Sequence, residues 1–274
     1  MEKQFVWNQD LHLHSYLSAC SRDPGQTPEF ILQYAKENGI TTLCLTDHYW
    51  DSAVPGASNW YAPQNFDHIA QSRPLPQADG IRFLFGCETD MDKDLTLGIP
   101  KERFDDFDFI VIPTTHLHMT GFTITPEDAQ SLDRRAALWG ERLEAVLNMD
   151  LPFHKIGIAH LACCLLSPRK QEDRSRVRAD YLTLLNKIPT SEMERLFQKA
   201  AALGVGIELN SGDMNFADEE ADTVLRMFRI AKAAGCKFYT ASDSHHPDYF
   251  PKCKRNFERA IALLDLHESD KFIL

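Results

Sequence analysis

The chain has 274 residues, 43% hydrophobic and 25% charged, enough to bury a large core as a globular protein. A formal net charge of −11 and a sequence pI near 5.4 exclude a broad basic surface for extended nucleic acid. No apolar run approaches the length of a membrane span and MEKQFVWNQDL carries no secretory pattern, so no membrane partner is expected, the expected location is cytoplasmic, and the oligomeric state stays open.

Seven β-type runs recur in chain order, each nearly continuously apolar before a polar end: 5–14, 41–48, 81–90, 107–116, 155–161, 205–211 and 237–245. Helical patterns lie between them at 28–39, 126–148, 191–204, 218–235 and 254–267, the first with Thr27 as N-cap and Gly39 as its stop. The stretches 49–80 and 162–190 mix Pro, Gly and charge and read as long connections. Alternating strand and helix without a composition break predicts α/β architecture over 1–274, one closed or nearly closed barrel rather than two domains.

The polar ends of these runs carry His12, His14, His48, Glu88, His116, His160, Asp243 and His245. In a parallel barrel all strand ends open on one face, so residues far apart in sequence converge on one mouth. Imidazoles with one or two bridging carboxylates suit Zn, Mn or Fe, whereas Mg or Ca would call for more oxygen. In DLHLH the two histidines are two residues apart on a strand and point to the same side, so they can clasp one ion. A single strand-end histidine is most often a hydrogen-bonded structural residue; six of the 11 histidines at such positions are a different pattern.

With DLHLH, LTDH, GCETD, TTH, IAHL and SDSHH in that order, the chain resembles the PHP superfamily, named for polymerase and histidinol phosphatase. The resemblance implies a distorted (β/α)7 TIM-like barrel holding two or three divalent ions and, in most members, phosphoester hydrolysis. It implies His12, His14, Asp243 and bridging Glu88 at a first ion, Glu88, His116 and His160 at a second, and His48 and His245 at a third. The third ion's remaining ligand should be a histidine six positions after the HxH pair, where this chain has Cys20. Three readings stay open: a thiolate ligand favouring zinc or iron, a weak or empty third site, or a packed side chain. The other cysteines read as small buried residues, since no C-x-x-C pair exists.

No side-chain nucleophile is then required, because a metal-bridging hydroxide would attack a small phosphomonoester, histidinol phosphate being one candidate. Asp47 is expected to orient a ligand from behind, and His118 to contact substrate or stand outside the ligands. Arg169, Arg176 and Arg22 are candidate phosphate clamps, as are Lys252, Lys254 and Arg255 after SDSHH, although any one of them is more readily a solvated surface charge. Glu208 and Asn210 in GIELNS face either the mouth or a buried hydrogen bond. Trp50, Trp60 and Tyr61 either wall the substrate or pack their loop. Two other functions compete: a metal-dependent amidohydrolase, which lacks an evident strand-end lysine for its usual bridge, and a non-catalytic metal-binding regulatory domain.

Overall fold

The structure is a computed structural model and describes residues 2–21, 23–168 and 174–274. Its strands are β1 (Gln9–Leu13), β2 (Thr42–Leu45), β3 (His48–Tyr49), β4 (Arg82–Phe85), β5 (Cys87–Thr89), β6 (Ile110–Pro113), β7 (Ile156–Ala159), β8 (Gly206–Asn210) and β9 (Lys237–Ala241). All their pairings are parallel, in the orders β1-β2-β4 and β3-β5-β6-β7-β8-β9. The helices are α1 (Pro28–Asn38), α2 (Phe66–Ile69), α3 (Leu132–Asn148), α4 (Arg174–Lys187), α5 (Thr190–Leu203), α6 (Ala221–Ala233) and α7 (Phe250–Leu264).

Two of the seven predicted strand runs are split, which divides the sheet. The run at 41–48 breaks at Thr46 and Asp47, where both Thr46 N–H and Thr46 Oγ1 bond the main chain of Leu13. The run at 81–90 breaks at Gly86, where a Cβ would lie 2.4 Å from the Phe109 carbonyl oxygen and 2.7 Å from Cys44 Sγ. Only glycine allows the chains to pass that closely. Because β4 and β5 belong to one run, they still link the two sheets, and Asp243 N–H donating to His12 O (2.8 Å) and His14 N–H to Ser244 O (3.0 Å) tie the last run back to the first. The seven runs thus form the ring of a distorted parallel α/β barrel.

The ring is filled from below by Leu11, Phe109, Val111, Ala159, Tyr239 and Phe272. At Gly157 a Cβ would lie 2.5 Å from the Phe109 ring and 2.6 Å from the Tyr239 hydroxyl, so this layer closes only around a missing side chain. The apolar floor leaves the opposite, carboxyl ends of the strands for polar side chains.

The helices follow their local signals. Thr27 caps α1 by accepting from Phe30 N–H, and Gly39 and Gly204 end α1 and α5 with positive φ. One expectation is corrected: much of the connection read at 162–190 is the helix α4. Its buried Val177, Tyr181, Leu184 and Leu185 recur at i, i+4, i+7 and i+8, a helical stripe obscured by the surrounding charge. Among the described residues no helix is long and apolar enough to cross a membrane.

Two arginines on α3 fasten the loops that leave the strand ends. Arg135 is buried and donates to the carbonyls of Leu117, Ala129 and Leu166. Arg142 is buried too and donates to Met91, Asp92, Thr114 and Thr123 carbonyls, binding the segments that follow β5 and β6. Replacing Arg142 by Met removes these donors and leaves carbonyls unsatisfied. The variant is expected to lose roughly 3 kcal/mol of unfolding free energy in urea denaturation.

Candidate metal centre

Glu88, in the middle of β5, is fully buried, and neither carboxylate oxygen has a hydrogen-bond partner. Its Oε2 lies 3.4 Å from both His12 Nε2 and His14 Nε2 and 2.8 Å from His48 Nδ1, the last without hydrogen-bond alignment. Its Oε1 faces His160 Nε2 at 3.5 Å and His116 Nε2 at 4.0 Å. Asp243 completes the ring, Oδ1 being 3.6 and 3.3 Å from His12 and His14, and Oδ2 3.5 Å from His160. The backbone at His160 and Asp243 adopts positive φ, 61° and 51°, so two strand ends leave the extended conformation where a donor turns into the cluster.

Orientation comes from behind. His12 Nδ1 donates to Glu208 Oε1 at 2.6 Å, which leaves Nε2 facing inward, and Glu208 Oε2 accepts from His160 N–H. Asp47 accepts from Ser15 N–H, Ser15 Oγ and Ser18 Oγ, and Ser18 Oγ meets His14 Nδ1 at 3.0 Å. Asp47 thereby supports His14 through Ser18. His116 Nδ1 lies 2.9 Å from Asp90 Oδ2, which also accepts from Tyr61 Oη. Sequence reasoning left Glu208 open and gave Asp90 no role, although Asp90 stands two residues from Glu88 and so on the same face of its strand.

The electrostatics show a site in need of positive charge. Burial opposes a charge on His12, yet Glu88, Glu208 and Asp243 together raise its pKa to about 10. Burial and the neighbouring His245 and His48 hold His14 well below the ordinary imidazole value. The facing His12 and His14 Nε2 atoms are 3.1 Å apart, so a proton on His12 bridges them where two lone pairs would otherwise repel. Although Glu88 is buried and Asp243 partly so, both are held well below the usual carboxylate range, His12 being prominent among the imidazoles responsible.

These residues fit divalent ions. Donor atoms lie within 4.8 Å of one another in His12–His14–Asp243, in His12–Glu88–His160 and in His14–His48–His245. Ligands placed tetrahedrally about 2.1 Å from an ion stand roughly 3.4 Å apart, which matches the separations around Glu88 Oε2. Mixed imidazole and carboxylate donors accept Zn, Mn or Fe, and the donor set does not select one. In the third group His14 stands beside His48 and His245, while the exposed Cys20 lines the same cavity as these last two, which, against partial desolvation, lower its thiol pKa to about 6. A further buried group, His160–Cys163–Asp213, lies at the rear of His160, where burial lifts the Asp213 carboxyl to about 7.

A cavity of about 320 Å³ opens over the cluster and is walled by Trp60, Tyr61, His118, Met119, Leu165 and Tyr249. Trp60 packs edge-on against His48, with ring centroids 5.0 Å apart, whereas Trp50 is buried and packs its own loop. His118 is exposed at the wall and edge-on to His116. His246, next to His245 in sequence, turns outward to Asp23 at 2.7 Å. Arg22 and Arg169 lie outside the described residues. Arg176 is exposed on α4 and is not on the cavity wall, and Arg178 in the same helix is bound to Glu220. Lys254 stands 3.9 Å from Glu258 on α7.

Fold and cluster together define a class: a parallel α/β chain with the buried donor set of a metal-dependent hydrolase at its strand ends. The chain belongs to the PHP domain family, whose model matches residues 10–228. Among solved structures it is similar to a histidinol phosphate phosphatase from Lactococcus lactis subsp. lactis Il1403, a complex with zinc, L-histidinol and phosphate, at 17% identity and a TM-score of 0.55, covering 97% of this chain and 99% of that one. A probable 2-pyrone-4,6-dicarboxylic acid hydrolase from Acinetobacter baumannii, with citric acid bound, is 12% identical at a TM-score of 0.43, covering 97% of each chain. No curated protein matches the sequence.

Two outcomes follow from the cluster. The His12 proton stabilises the metal-free fold fully below the unfolded value near 6.5, and that contribution is lost as pH rises through about 10. A metal that takes its place must release it at pH 7, so calorimetry in buffers of different ionisation enthalpy is expected to show proton release and affinity rising with pH. Replacing Glu208 by Ala frees the His12 ring and is expected to weaken metal affinity about 10- to 100-fold in chelator competition.

Proposed function

We propose that this protein is a metal-dependent phosphoesterase that hydrolyses a small phosphomonoester, with histidinol phosphate a candidate. The observation that carries this reading is Glu88: a fully buried carboxylate with no hydrogen-bond partner, set among five imidazoles and beside Asp243 at the floor of a cavity. His12, His14, Asp243 and Glu88 would hold a first ion, Glu88, His116 and His160 a second, and His48 and His245 a third, with the Cys20 thiol beside them. Bound there, divalent ions lower the pKa of water toward neutrality and neutralise charge on a phosphoryl group.

The chain's own residues supply the remainder. Glu208, Asp90 and the Asp47–Ser18 pair hold the outer ring nitrogens, so the inner ones are turned toward the cluster, where an ion would take the place of the His12 proton. Trp60, Met119, Leu165 and Tyr249 provide an apolar wall that binds the carbon skeleton and excludes water, while His118 is placed to hydrogen-bond the substrate. The cavity volume suits a small ester. The similarity to a phosphatase whose structure holds zinc, L-histidinol and phosphate supports the same choice of substrate class.

Protein loaded in turn with Zn, Mn or Fe is expected to release phosphate from at least one member of a phosphomonoester panel that includes histidinol phosphate. Inactivity on every member with metal demonstrably bound would overturn the reading, and hydrolysis of amides or lactones instead would move it to carbonyl chemistry. Trp60→Ala is expected to raise KM about tenfold for an ester of a ring-bearing alcohol while changing kcat little.

A further inference from the structure

A second cavity, of about 310 Å³, adjoins the first and shares Asp243, His245 and Tyr249 with it. Its remaining wall is different in kind. Asn210, Ser211, Ser242 and Asn256 line it, all four buried polar residues, together with the exposed Lys252 from the first turn of α7.

The polar wall is held by its own bonds. Asn210 Oδ1 accepts from Gly212 N–H at 2.8 Å, while its Nδ2 reaches Glu208 and Asp243 at 3.4 Å. Asn256 Nδ2 donates to the Ser211 carbonyl at 2.9 Å. A rigid polar surface of this kind orients a ligand without being reordered by it.

Among the described residues Lys3, Lys36, Lys199, Lys237 and Lys252 have no carboxylate within ion-pair distance, and of these Lys252 lines the cavity beside the cluster. Lys93, Lys101, Lys187, Lys254 and Lys271 each have a carboxylate within ion-pair distance. Among the described residues Lys252 has none, and the acidic residue on its cavity, Asp243, is engaged by His12, His14 and His160. In a chain of net charge −11, an unmatched ammonium at the edge of a preformed polar cavity beside the donor cluster is poised for an incoming anion.

We propose that the Lys252 cavity is a subsite for a second anionic group, so that the preferred substrate carries a carboxylate or a further phosphate on the alcohol that leaves and is bound in preference to histidinol phosphate, whose alcohol carries an ammonium instead. This rests on the phosphoesterase reading above, with the scissile phosphoryl group over the cluster and the second anion reaching past Asp243 and His245 to Lys252. Tyr249, common to both cavities, borders the intervening carbon skeleton.

Binding can be measured without turnover by titrating the metal-loaded protein calorimetrically with simple alkylphosphonates, and with the same chains bearing a terminal carboxylate or a terminal phosphonate, over a series of rising chain length. At one chain length the second anion is expected to tighten binding about tenfold, the gain of one charge-assisted contact. Lys252→Ala should abolish that gain, Lys252→Glu reverse it and Lys252→Arg keep it, with the affinity of the simple alkylphosphonates unchanged in all three. The carboxylate and phosphonate arms distinguish which anion is favoured. The subsite is overturned if no doubly anionic ligand exceeds its simple counterpart, if no phosphonate binds at all, or if the gain survives both Lys252→Ala and Lys252→Glu. Hydrolysis of the matching alkyl phosphates, assayed in parallel, reports on the phosphoesterase reading separately: turnover without a second-anion gain overturns the subsite alone, and binding gain without turnover overturns the phosphoesterase reading alone.

Discussion

A buried carboxylate without a donor is the constraint around which this molecule is arranged. Removing Glu88 from water costs several kcal/mol, about what an isolated buried ion costs after the protein relaxes, and no backbone N–H or hydroxyl offsets it. Positive charge has to come from imidazolium or from a cation. The facing Nε2 atoms of His12 and His14 make the same demand, because at 3.1 Å something positive must lie between their lone pairs. Proton and metal therefore compete for one position.

The rest of the structure serves to keep that position exact. Glu208 touches two ligand candidates at once, the His12 ring and the His160 main chain, so one side chain on β8 sets the relation between β1 and β7. The Thr115 hydroxyl donates to the His160 carbonyl, so both backbone groups of a residue in the left-handed region are satisfied. Farther out, the guanidinium groups of Arg135 and Arg142 replace the water that would otherwise hydrate the loop carbonyls beneath the helix layer. The barrel floor works in the opposite way, through close packing about Gly86 and Gly157 that leaves no room there for a ligand and only the other end of the ring for chemistry.

The mouth is asymmetric. One cavity sets Trp60, Tyr61, Met119 and Leu165 over the donor cluster, the other carries Asn210, Ser211, Ser242 and Asn256 and is bordered by Lys252, and Asp243 and His245 are common to both. A ligand held at those two residues can therefore extend toward two differently lined surfaces, which is a means of discrimination separate from the metal chemistry.

Much of this was legible from the order of residues alone. Seven apolar runs ending in polar residues imply parallel strands, and parallel strands project their carboxyl ends onto one face, so the gathering of His12, Glu88, His116, His160 and Asp243 needed no coordinates to anticipate. Helix starts such as Thr27 and stops such as Gly39 were equally local. Gly86 as a strand break was not, because its reason is the Phe109 carbonyl on a neighbouring strand, and the helix at Arg174–Lys187 was masked because its apolar stripe is narrow among charges. Tertiary structure alone decided that Glu208, 196 residues from His12, holds that ring, that Asp90 holds His116, that His14 lies with His48 and His245 while Cys20 lines the same cavity as those two, and that Lys252 has a cavity instead of a carboxylate beside it. Periodicity determines which face a residue occupies, but a hydrogen bond is determined by which residues of other strands share that face, and only the closed ring specifies those neighbours.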